Sequence, residues 1–195
     1  MRSSVEIFNI RTRENRIVWQ TEKLFEAPNW SPDGRYVLLN SEGLLYRLSL
    51  AEANDVEKVD TGFAVQCNND HGISPDGSLI AISDKVEFGK SAIYVLPSAG
   101  GTPRLVTENL PSYWHGWSPD GKAFAYCGIR DQVFDIYTIG IDGRNETRLT
   151  HAFTHLGQAL GLDWAQTVAS RITTGDPWER LLIAGLARDF QQLRL

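Results

Sequence analysis

The tetrapeptide Ser-Pro-Asp-Gly occupies residues 31–34, 74–77 and 118–121, at spacings of 43 and 44 residues. A period of this size constrains the fold more than any composition does, because one repeat cannot bury its own apolar face and must stack on its neighbours. Each copy is followed by a short apolar stretch, "RYVLLN", "SLIAIS" or "KAFAYC", and then by a second, "LLYRLSL", "AIYVLPS" or "DIYTIGI". A third, more polar stretch comes next ("EKVDT", "PRLVT", "TRLTH"), and "APNWS", "DHGIS" and "WHGWS" lead into the motif as a fourth. All are short, rich in β-branched and aromatic residues, and bounded by Gly, Pro, Asn and Asp, which is the signature of strands. Four such strands per period predict the blades of a β-propeller.

Within a blade the tetrapeptide has a turn to make. Proline presets φ at the first central position, Asp caps the turn with its side chain, and Gly supplies a positive φ. Asp33, Asp76 and Asp120, with Gly34, Gly77 and Gly121, therefore read as structural turns between the innermost strand of a blade and the next, not as catalytic carboxylates.

The stretches "NWSPDGRYVLL", "GISPDGSLIAIS" and "GWSPDGKAFAYCG", with "LYRLSL", "IYVLPSAGG" and "IYTIGIDG" after them, resemble the repeats of TolB-like β-propeller proteins. The segments 99–107 and 142–150 are similar to that family's turn into the outer strand, and the resemblance covers roughly residues 4–150. It implies a fold more than a function, since related propellers serve as docking platforms, peptidase gates and lyases.

Phase defines the two ends. "VEIFNI" (5–10) and "RIVWQT" (16–21) match the third and fourth strands of later repeats, so the chain opens on the outer half of a blade. In complete propellers of this kind the C-terminus supplies the inner half. A fourth motif is due near residue 162, yet from about His151 the apolar residues Leu156, Leu160, Trp164, Val168 and Ile172 recur at helical spacing. Asp176 then stands as N-cap, Pro177 at N1 and Glu179 at N3 of a second predicted helix. The expectation is mainly β: an open propeller of about three and a half four-stranded blades over 1–150, followed by a helical hairpin over 151–195. The tail resembles a C-terminal helical segment of the large bacterial NAD-specific glutamate dehydrogenases in "LGLDW", "WERL" and "ARD", with no dinucleotide fingerprint and no activity carried over. Three accounts stand side by side: a fusion or frame junction near 150 that leaves a fragment, an open arc capped by its helices, and a ring completed by a second chain. An open arc exposes strand edges that template self-association.

A formal net charge of −5 argues against nucleic acid as a partner. No apolar run is long enough for a membrane span, and "MRSSVEIFNI" lacks the apolar core of a signal peptide. That places the chain in the cytoplasm, or in the periplasm if the true N-terminus is missing. Cys67 and Cys127 lie far apart and outside any CxxC spacing, which fits two small hydrophobes.

No G-x-S-x-G elbow, P-loop or Rossmann fingerprint is present, and Gly100-Gly101 reads as a hairpin turn, so the chain reads as a non-enzymatic module without a cofactor. The residues before the turns vary and are the candidate binding rim: Asn69, Asp70 and His71 in one repeat, Tyr113, Trp114 and His115 in the next, with Asn68 beside them. Tryptophan and tyrosine are favoured binding anchors, so the rim predicts a protein partner or a small ligand. His71 and His115 each stand three residues before a motif serine and would face a central channel together, with Asp70 nearby. Some propeller lyases use histidine-held metal, so the alternative reading is a metal-dependent, lyase-like enzyme acting on an acidic saccharide, although two positions fall short of a usual ligand set. Trp30 and Trp117, one residue before their serines, are expected to pack between blades.

Overall fold

The computed structural model describes residues 2–52 and 55–150. They form fourteen strands and no helix. The first pair, β1 (Ser3–Phe8) and β2 (Asn15–Thr21), is antiparallel and stands alone as a two-stranded sheet. Three four-stranded antiparallel sheets follow: β3 (Glu26–Trp30), β4 (Tyr36–Ser41), β5 (Leu44–Ser49) and β6 (Val56–Lys58); β7 (Cys67–Ile73), β8 (Leu79–Asp84), β9 (Ala92–Pro97) and β10 (Arg104–Leu105); β11 (Ser112–Trp117), β12 (Ala123–Arg130), β13 (Val133–Gly140) and β14 (Thr147–Arg148). Each sheet runs in sequence order from its first strand to its last. The first strands of successive sheets lie against one another, β3 with β7 and β7 with β11. These are three and a half blades of a propeller arc, and the described sheets do not close into a ring. The helical hairpin predicted over 151–195 lies outside the described residues.

Strand alternation explains why the middle strands are apolar throughout. In β4, Leu38 turns to the core shared with the second blade, while Val37 and Leu39 turn to the core shared with the half-blade. In β8, Ile80 and Ile82 face the first blade and Ala81 the third; in β9, Tyr94 and Leu96 face the first, Ile93 and Val95 the third. Side chains of successive residues point to opposite faces, so a strand sandwiched between blades needs apolar residues at every position. Each fully buried leucine or isoleucine contributes about 1.5–3 kcal/mol. The outermost strands β10 and β14 are only two residues long and largely exposed.

The turns are the same in all three blades. The Ser31, Ser74 and Ser118 hydroxyls donate to Asp33, Asp76 and Asp120 at 2.7, 2.6 and 2.6 Å. The same oxygens accept the N–H of Tyr36, Leu79 and Ala123 at 3.0, 2.9 and 2.9 Å. Gly34, Gly77 and Gly121 hold φ of 76°, 76° and 70°. Each carboxylate also accepts the N–H two residues on, from Arg35, Ser78 and Lys122. The serine hydroxyl is the first cause holding Asp33 and Asp76 down at about 2, and Asp120 is lowered the same way. Successive turns also meet: Pro32 Cδ lies 4.0 Å from where a Gly77 Cβ would stand, and Pro75 Cδ lies 3.7 Å from that of Gly121.

Candidate functional site

The rim opposite the turns is built from the starts of β7 and β11 and the connections between second and third strands. Asn40 of the first blade anchors it, its amide donating to the Cys67 and Asn68 carbonyls at 3.0 and 2.6 Å. Asn68 in turn accepts the Asp70 N–H at 2.9 Å and donates to the Asp70 carboxylate at 2.7 Å. A bulge between Cys67 and His71 lifts this turn out of the ladder and leaves Asn69 exposed.

The two rim histidines part company. His71 pairs with Ile82, and Trp114 with Tyr126, each partner eight residues after its motif serine. In register, then, Trp114 is the counterpart of His71, and His115 is the residue that a bulge between Trp114 and Gly116 removes from the ladder. His115 is exposed, whereas His71 is 2% exposed. Both ring nitrogens of His71 lack a hydrogen bond of ordinary geometry, and backbone of Asn68, Ala27 and Leu38 only partly offsets the effect of burial on the ring. Burial pushes this imidazole down to about 4 and keeps it neutral. The channel-facing histidine pair predicted from spacing is therefore one interior ring and one surface ring. Among the described residues no three His, Cys, Asp or Glu side chains gather as a metal set.

Trp114 is not an exposed anchor either. It is 7% exposed and lies in the core between the second and third blades, edge-on to Phe124. Its indole fills the space a side chain on Gly72 would need: a Cβ there would stand 2.3 Å from the Trp114 ring. Trp117 packs edge-on to Phe124 and donates to the Gly72 carbonyl at 3.3 Å, joining blades as expected. Trp30 departs from that expectation, at 54% exposed. It stands where Trp117 stands, but β1 and β2 are an outer pair, and among the described residues no inner strand lies before it to receive the ring.

Of the predicted rim, Asn69, Asp70, Tyr113 and His115 reach the surface wholly or in part. Asn68 and Tyr113 come together in a cleft of about 660 Å³, with Gln66, Ser83, Asp84, Lys85, Lys90, Ser91 and Pro111 also on its walls. Sequence reasoning missed both lysines and Asp84. Their signal was the loop "KVEFGK" (85–90), which carries two of the chain's five lysines. A second groove of about 380 Å³ lies between the first two turns, and there Asp33 is already engaged by Arg35 at 2.6 Å. Cys67 is buried and Cys127 half-buried, both as free thiols; burial pushes Cys67 up strongly and Cys127 up to about 11, so neither offers a ready nucleophile.

Stacked four-stranded blades with a variable rim define the class: a segment of β-propeller. More particularly, its fold is similar to that of TolB propellers. The chain is 81% identical over 151 residues to an uncharacterized protein of Agrobacterium fabrum, a match covering 77% of this chain and 52% of that protein. A solved structure assigned to TolB from Agrobacterium tumefaciens superposes with a TM-score of 0.75 at 81% identity, over 77% of this chain and 55% of the other. TolB from Acinetobacter baumannii superposes with a TM-score of 0.64 at 20% identity, over 76% of this chain and 37% of the other, and speaks for the fold alone. No protein-family model matches the chain. The chain spans about half the length of the first two relatives. None of these relatives supports the glutamate dehydrogenase likeness of the tail.

Proposed function

We propose that this chain is a non-enzymatic, TolB-like interaction module that presents its rim to a protein partner or small ligand. The observation that carries the proposal is the contrast within each blade. The turn end repeats one self-satisfied hydrogen-bond set, while the rim holds non-repeating polar and aromatic groups, Asn69 and His115 exposed and Asp70 and Tyr113 half-buried. Neither thiol is activated, and the motif carboxylates are spent on turns. These features favour recognition over chemistry.

The test is capture of partners from the source organism by the purified chain and by a Tyr113→Ala, His115→Ala double variant. Both residues sit outside the inter-blade cores, so the fold should survive. Loss of capture by the double variant supports the rim; equal capture by both proteins removes it.

A further inference from the structure

The rim cleft has a charge character that the chain as a whole does not. The net charge is −5, yet two lysines, Lys85 and Lys90, line the cleft against one acidic residue, Asp84. That carboxylate is 1% exposed and already engaged at both oxygens, accepting the Val86 and Gln66 N–H groups at 2.7 Å each. Glu87, in the same loop, is held by the Tyr94 hydroxyl at 2.9 Å. Neither lysine makes an ion pair or side-chain hydrogen bond with any described residue.

The loop geometry puts these cations where they are. Gly89, at φ 63°, donates its N–H to the Lys85 carbonyl at 2.9 Å, closing the loop so that both lysines border one cleft. The Ser91 hydroxyl on the same wall is shut off from solvent and has no hydrogen-bond partner. A buried hydroxyl left unsatisfied is costly. Tyr113 and Asn68 face the same space from the neighbouring inner strands.

Two unpaired cations, an unpaired hydroxyl and a ring of neutral donors suit an oxyanion of modest size. Ammonium-to-carboxylate bonds are among the stronger polar contacts. We propose that the cleft between Lys85, Lys90, Ser91 and Tyr113 binds a carboxylate. This rests on the rim being the recognition surface and names the chemistry recognised there. The carboxylate has two sources, a free small acid or an acidic side chain of a polypeptide.

Calorimetric titration of the purified chain with glutarate and with triglutamate separates them, with glutaramide and triglutamine as neutral controls. Both acids should bind and both amides should not. Affinity should fall about tenfold in Lys90→Gln and further in the Lys85→Gln, Lys90→Gln pair. Tighter binding of triglutamate than of glutarate would assign the site to a polypeptide, and equal binding to a free acid; either supports the proposal. No binding of either acid, equal binding of the amides, or an unchanged affinity in the lysine pair overturns it. Partner capture lost in the Tyr113→Ala, His115→Ala variant while neither acid binds would overturn the carboxylate site and leave the rim standing.

Discussion

At the turn end, Ser31, Ser74 and Ser118 hold the same bonds to the same kinds of partner. At the rim, residues at one sequence offset do different things: His71 is enclosed between blades, and His115 stands outside on a bulge. The turn is local, with every hydrogen bond closing within five residues, so sequence identity enforces structural identity. The rim depends on what the neighbouring blade offers. Gly72 and Gly116 show this in one atom. They occupy the same register, opposite Ala81 and Ala125, yet a Cβ on Gly72 would collide with Trp114 and one on Gly116 would meet nothing within 4 Å.

That contrast is the first to try to break. Gly72→Ala should destabilise by about 3 kcal/mol, since the indole behind it is rigid and packed, while Gly116→Ala should change little; urea melts of the two report the difference. Equal effects would mean that the neighbouring blade does not set the environment of this position. Next comes acid. The folded His71 titrates near 4 and an unfolded histidine near 6.5, so only the unfolded chain takes the proton between them. Stability is unaffected above 6.5 and falls as the pH drops towards 4, by up to about 1.4 kcal/mol per pH unit. The urea midpoint of His71→Leu should lose most of that dependence, whereas the same substitution at exposed His115 should leave it in place. The turn aspartates act in a lower window: their folded values lie near 2 against 3.8, so their stabilisation is present above 3.8 and is lost as pH falls towards 2.

At the turn end, Ser74→Ala should cost about 1 kcal/mol, because the half-buried Leu79 N–H loses its acceptor and Asp76 its donor. The same change at Ser118 should cost a similar amount, and thermal melts that separate the two would show that the turns are not equivalent. Gly121→Ala should likewise cost about 1 kcal/mol, since a Cβ fits beside Pro75 and the cost is the positive φ alone. Smallest of all, Tyr113→Ala with His115→Ala should shift stability by about 0.5 kcal/mol or less while removing partner capture.

The period, the strand order within a blade and the outer half-blade at the N-terminus were legible because each follows from short-range pattern. The turn aspartates and glycines were legible too, though the serine at the centre of their bonds looked like a bystander. What escaped was non-local. A one-residue bulge moved His115 out of the register that spacing alone assigns it, and Trp114 took the inward place. Nothing near Trp114 in sequence announces Gly72, forty-two positions earlier, as the floor it rests on. Lys85 and Lys90 were visible only as loop residues until the neighbouring strands closed a wall opposite them.

The glycines of the second and third turns, Gly77 and Gly121, also sit against the proline of the turn before them. A joint of that kind gauges one unit against its predecessor and carries no tally. Whole periods could be added or removed along the arc without disturbing any existing joint, while a one-residue insertion inside a turn would be felt at the next. In such an architecture the length of the array is free to vary by units, and the angle between units is not.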